Sequence, residues 1–300
     1  MRKLFVCIAL GLTTLTGNAT SPLWMRDVQI SPDGTEIAFC YKGDIYKVSA
    51  GGGTAIQLTT QPSYECTPIW SPDSKQIAFA SDRNGNFDIF VMPATGGTAQ
   101  RLTTHSSSEL PSAFTPDGKY ILFSASIQDP SQSALFPTTA MTELYKVPVN
   151  GGRTEQVLGP PAEAICYAPS GEFFLYQDRK GFEDEWRKHH TSSITRDIWL
   201  YDTKTGKHTN LTNHAGEDRN PVLSPDGKSV YLLSERKGSF NVYSFPLDNA
   251  QDLKAVTSFK THPVRFLSMS HGGTLCYAYD GEIYTQKDNA TPQKLSLIHI

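Results

Sequence analysis

A short turn, Ser-Pro-Asp-Gly or a close variant, recurs six times along this chain, and that recurrence restricts the fold more than any other feature. The turns begin at Ser31, Ser71, Thr115, Ala168, Ser224 and Ser270, in steps of 40, 44, 53, 56 and 46 residues. Residues 68–103 are the clearest copy: PIWSPDSKQIAFASDRNGNFDIFVMPATGGTAQRLT. An apolar strand leads into Pro72-Asp73-Ser74, where Pro presets φ and Asp can accept backbone N–H bonds. A second strand over 76–80 is rich in β-forming residues and too short for a helix. Asn84-Gly85 marks a hairpin tip, 87–92 a third strand, Gly96-Gly97 a turn and 99–103 a fourth strand.

Four short antiparallel strands at a period of 40 to 45 residues predict a propeller blade. A lone blade leaves both faces exposed, so six units predict an all-β, six-bladed β-propeller over residues 20–295. The blades start near residues 27, 67, 111, 164, 220 and 264. The alternative for such a pattern, an all-β sandwich with Gly and Pro turns, does not account for six matched copies. The carboxylates of Asp33, Asp73, Asp117 and Asp226 are read as turn elements.

Residues 1–19 fall outside the repeats. Arg2 and Lys3 precede an apolar run over 4–15, and small residues follow up to Ala19. This is the pattern of a cleaved export signal, too short for an ordinary membrane span. The mature protein is then expected outside the cytoplasm, in the periplasm, with no membrane span. Loss of Arg2 and Lys3 takes the formal charge from -3 to -5, and no basic stripe appears, so nucleic acid is a poor partner. Cys40, Cys66, Cys166 and Cys276 lack paired metal spacing. Cys40 and Cys276 would face the same way on second strands of neighbouring blades, but those strands are expected to lie too far apart for a bridge. The last residues, 295–300 (LSLIHI), continue no blade. They match six codons of a transposon-library adapter, which suggests a non-native tail on a gene fragment, with a short natural tail as the alternative.

Two long insertions fall between second and third strands, residues 127–141 in blade three and 177–196 in blade four. Both should emerge on one face. The blade-four stretch, QDRKGFEDEWRKHHTSSITRDI, crowds three acids against Arg187, Lys188, His189 and His190, with Trp186 between. One reading is a peptide-recognition loop in which Arg187, His189, His190 and Arg196 hold an anionic group such as a C-terminus and Trp186 packs beside it. A solvated loop whose charges pair internally is the second. A metal site is the weakest, because adjacent histidines seldom face one ion and no His-Glu-x-x-His spacing exists. Arg83, Arg179 and Arg236 recur at equivalent hairpins and are read as ion-pairing elements of the repeat. No Gly-x-Ser-x-Gly elbow, Walker loop or dinucleotide fingerprint is present, so no catalytic residue, cofactor or metal is assigned.

The repeats SPDGTEIAF with DIYKV, SPDSKQIAFASDRNGNFDIFVM and SPDGKSVYLLSERKGSFNVY resemble the propeller repeats shared by TolB and tricorn-type proteases. The blade-four segment RKHHTSSITRDIW resembles exported tricorn protease homologues, whereas TolB carries an α/β domain ahead of its propeller. That resemblance implies a larger machine with a second propeller, a PDZ-like module and a serine peptidase domain whose catalytic residues lie beyond residue 300. The propeller would be its substrate-gating or docking ring. Implied partners are peptides or unfolded polypeptide and the protein's other domains, with homo-oligomerisation left open. A TolB-like binding scaffold without enzymatic activity, and the propeller of a prolyl-oligopeptidase or dipeptidyl-peptidase relative, remain as alternatives.

Overall fold

In a computed structural model, the structure describes residues 24–127, 141–181, 184, 186–188, 192–287 and 290–299. The leader assigned to residues 1–19 and most of the blade-three insertion lie outside them.

The described residues form six antiparallel sheets of four strands each, in sequence order within every sheet; in blade one the short strand Gly53–Thr54, part of a separate pair, falls before the fourth strand. The innermost strands are Arg26–Ile30, Glu65–Trp70, Leu110–Phe114, Glu163–Tyr167, Asp218–Leu223 and Val264–Met269. The strand in blade two therefore starts before Pro68, because the chain pairs on both sides of a bulge between Cys66 and Ile69. Fourth strands are brief, as at Gln100–Arg101, which leaves the rim of the ring thin.

The core is six inter-blade layers. The reason lies in the second strands, where alternate residues face opposite neighbours. In blade one, Ile37 and Phe39 pack on blade six with Cys276 and Ile283, while Ala38 and Cys40 pack on blade two with Ile77 and Phe79. The same alternation builds the remaining four seams. It also settles the thiols. Cys276, equivalent to Ala38, faces blade one, whereas Cys40 faces blade two, so the sheet of blade one stands between them. All four described cysteines are free.

Each turn holds itself together. Ser31, Ser71, Thr115 and Ser224 donate their hydroxyls to Asp33, Asp73, Asp117 and Asp226 at 2.5, 2.7, 2.6 and 2.6 Å. Backbone N–H groups two residues further on donate to the same carboxylate oxygens. These bonds hold the four carboxyls below the usual range. A second repeated device sits across the blade. The hydroxyls of Thr59, Thr103, Thr212 and Thr257 accept from the N–H of Ile45, Ile89, Ile198 and Val242 at 2.8–2.9 Å. A buried N–H beyond the end of the ladder is thereby satisfied.

Among the described residues blade six meets blade one without a shared blade strand. Their seam is held by packing, by Met25 N–H donating to the Gly281 carbonyl (3.2 Å) and by Ile30 N–H donating to Ser268 Oγ (3.1 Å). Leu297–His299 additionally pairs in parallel with Gly53–Thr54 of blade one.

Candidate functional site

The innermost strands of all six blades line a central cavity of about 390 Å³. At one equivalent position in five of them the backbone turns left-handed: Asp27, Thr67, Ala164, Asn220 and Phe266 have φ between 47° and 58°. Blade three has Pro111 there, whose ring fixes φ near −65°. Left-handed backbone is strained for residues other than glycine, and here it bends each inner strand where it bounds the cavity. Asp27 and Gln177 use the bent backbone directly, accepting from Thr67 N–H (3.1 Å) and Asn220 N–H (2.9 Å) across blade seams.

Antiparallel pairing places the starts of the inner strands on the same face as the hairpins between second and third strands; Arg26 pairs with Cys40 and Glu65 with Ser81. The described residues of the blade-four insertion lie on this face, and Trp186 and Arg187 reach other blades. Trp186 borders the cavity at this mouth, 46% exposed. Its ring centroid lies 4.5 Å from the Arg26 guanidinium of blade one and 5.1 Å from that of Arg265 in blade six, with Phe266 edge-on at 6.0 Å. Arg265 also donates to the carbonyls of Trp186 and Arg187, at 3.0 and 3.1 Å.

Arg187 anchors this crossing. It is 4% exposed and donates to Glu217 at 2.5 Å and to Glu235 at 2.5 Å, both in blade five. Glu217, fully buried, also accepts from Arg196 at 2.7 Å and from Arg219. The Glu235 carboxylate in turn accepts from Glu217 N–H at 2.8 Å. Burial pushes the Glu217 carboxyl up, but the bonds and charges of Arg219, Arg187 and Arg196 outweigh it and leave the pKa at about 2. Burial likewise opposes the Arg187 charge, and Glu235 and Glu217 more than offset it, so its pKa rises above the ordinary arginine value. At the root of the insertion Lys180 donates to Asp197 at 2.6 Å.

Of the residues proposed from sequence to hold an anionic ligand, the structure therefore gives Arg187 and Arg196 buried carboxylate partners within the protein. A guanidinium buried between carboxylates positions the loop, so its charge is spent on the fold. Trp186 stands at the mouth, and His189 and His190 lie outside the described residues. Arg26, Arg265, Glu217 and Glu235 were not singled out by sequence reasoning, since each lies at an ordinary blade position and meets the insertion only from a distant part of the chain, 30 to 79 residues away for Glu217, Glu235 and Arg265 and further for Arg26. The hairpin arginines pair with acids at the start of their blade's inner strand: Arg83 with Glu65, Arg179 with Glu163 and Arg236 with Asp218, each at 3.0 Å. Among the described residues no three His, Cys, Asp or Glu side chains are grouped to hold a metal.

Comparison with known proteins bears on what such a ring is. The chain superposes on the crystal structure of the tricorn protease with a TM-score of 0.76 at 22% identity, over 91% of this chain and 26% of that one. It superposes on TolB from Acinetobacter baumannii with a TM-score of 0.63 at 20% identity, over 88% of this chain and 61% of that one. At those identities the likeness is one of fold. A segment of 72 residues, 24% of this chain, is 32% identical to an uncharacterized peptidase of Bacillus subtilis (strain 168), YuxL. The chain spans about a quarter of the tricorn protease chain and a tenth of the Bacillus protein. The sequence pattern described as the tricorn protease N-terminal beta propeller domain matches residues 22–292, and the chain belongs to that family.

Proposed function

We propose that this propeller is the peptide-docking and substrate-gating ring of a larger, exported serine peptidase, with its working mouth on the face that carries the blade-four insertion. The observation that carries the reading is the position of Trp186, held beside the central cavity by a buried clamp and flanked by two guanidiniums. An aromatic face beside cationic groups on a concave, partly apolar surface is the chemistry that captures extended peptide. Arg187 and Arg196 act here as positioning residues, and contact with peptide falls to Arg26 and Arg265, the guanidiniums that Trp186 marks at the mouth. The fold's likeness to the tricorn protease supports a role beside a catalytic domain.

Titration of the folded chain with a reduced, carboxymethylated, unfolded polypeptide tests this, with the disulfide-intact form as control. Binding of the unfolded form alone is expected. Preference for the folded form favours the second reading, a TolB-like scaffold for a folded partner. That reading draws on Trp24, Tyr64, Leu110 and Met141, large apolar side chains exposed on the same face. Failure to bind either form would refute both.

A further inference from the structure

We propose that the slot between Arg26 and Arg265 is a subsite for an aromatic side chain of the bound peptide, and that Trp186 fills it in cis as a removable cap. The inference rests on the docking reading above and adds a specificity to it. The two guanidiniums come from blades one and six, and the ring that both lie over comes from blade four. The guanidiniums therefore belong to blades other than the one that supplies the ring, and Arg265 is held by the backbone of the insertion rather than by the indole. Phe266, whose left-handed backbone aims it from the inner strand of blade six, closes one side edge-on at 6.0 Å. On the blade-one side, Tyr64 lies beside Arg26, whose charge works against the rise that burial gives the tyrosine's phenol. Phe87 packs edge-on against Tyr64 at 6.2 Å, so aromatic and cationic groups continue outward from the slot.

The manner in which Trp186 sits there identifies it as a cap. Trp70, a core tryptophan of the same chain, is 8% exposed and donates its indole N–H to the Gln29 carbonyl at 2.9 Å. Trp186 keeps nearly half its surface in solvent. Its backbone is tied down independently of the ring, by N–H donation to Asp184 at 2.8 Å, by the Arg265 bond to its carbonyl and by the neighbouring Arg187 clamp. The side chain can therefore leave by rotation while the insertion stays in place. Guanidiniums over a ring recognise the electron-rich face common to Trp, Tyr and Phe, so the ligand class is a peptide bearing an exposed aromatic residue.

The test compares two blocked peptides, acetyl-Gly-Gly-Trp-Gly-Gly-amide and its Ala counterpart, by calorimetry on the whole chain. The proteins are wild type, Trp186→Ala and the double variant Trp186→Ala with Arg26→Ala, each checked for a native unfolding transition. A cap that is mostly closed lowers apparent affinity by the fraction open, so Trp186→Ala should bind the Trp peptide about tenfold more tightly, with no gain for the Ala peptide. Arg26→Ala should abolish that gain. Equal or weaker binding of the Trp peptide by Trp186→Ala overturns the proposal, as does an equal gain for both peptides; either result leaves peptide docking standing. Absence of binding by every peptide and every protein overturns the docking reading as well.

Discussion

Replacing Arg187 with Ala separates a clamp from a solvated loop. The substitution would leave Glu235 without its guanidinium at 2.5 Å and would remove one of three from Glu217, both carboxylates being buried. Breaking a buried pair by deleting one partner costs about 3–5 kcal/mol. The lower end applies, because Glu217 keeps Arg196 at 2.7 Å and Arg219. A loss of about 3 kcal/mol corresponds to a fall of about 8 °C in midpoint for a domain of this size. Thermal and urea unfolding followed by far-ultraviolet circular dichroism would measure it. The pH dependence gives a second check. Glu217 has a folded pKa of about 2 against an ordinary 4.5, so the stability it lends is present above pH 4.5 and is lost as pH falls towards 2. Removing Arg187 raises that folded pKa, so the gap between variant and wild type should be widest above pH 4.5 and should narrow on acidification. A midpoint within about 2 °C of wild type at pH 7, with parallel acid limbs, would refute the clamp.

Other regions of the ring give independent predictions. Glu109 is buried, and desolvation followed by the charge of Asp88 raises its carboxyl to about 7. A raised carboxyl contributes stability below pH 4.5 that is lost as pH rises through 7, so Glu109→Gln should raise the midpoint at pH 8 by about 3 °C or more and change little at pH 5; the same change at both pH values would contradict this. Thr103→Val strips the acceptor from the buried Ile89 N–H and should cost about 1–2 kcal/mol, whereas Thr98→Val at an exposed position should be near neutral, both read by urea midpoint. Gly52 has φ 90°, and a Cβ there would lie 2.5 Å from the Ser296 carbonyl. Gly52→Ala should therefore release the pairing of Leu297–His299 with Gly53–Thr54, and faster trimming by a carboxypeptidase, followed by mass spectrometry, would register it.

Blade number, strand order and turn chemistry were legible in the chain because each depends on residues within about ten positions of one another. Asp33 and its equivalents bond to groups two residues away, whereas the Thr59-type caps, which reach back 14 or 15, are visible only in the structure. Ion pairs at Arg83, Arg179 and Arg236 were foreseeable in kind from their repetition, yet their partners lie 16 to 18 residues back in the same blade. The sequence marks the blade-four insertion as a place of charge and leaves its arginines between a ligand and internal pairing within a solvated loop; the structure gives Arg187 and Arg196 carboxylate partners in the next blade. Nothing local in EWRKHH distinguishes a guanidinium facing solvent from one lying between two carboxylates of the next blade.

That last distinction marks the boundary between what sequence determined and what tertiary structure decided. A period near 45 residues with alternating apolar second strands permits one economical solution, a closed ring of blades, because every sheet has two apolar faces to cover. Which side chains then meet across the ring depends on closure itself. Arg26 and Arg265 are 239 residues apart in the chain and flank the same indole only because blade six returns to blade one. Burial also reverses the chemistry of a residue type: Arg187 became a structural ion when the ring removed it from water, while the half-exposed Trp186 beside it was left to face the cavity.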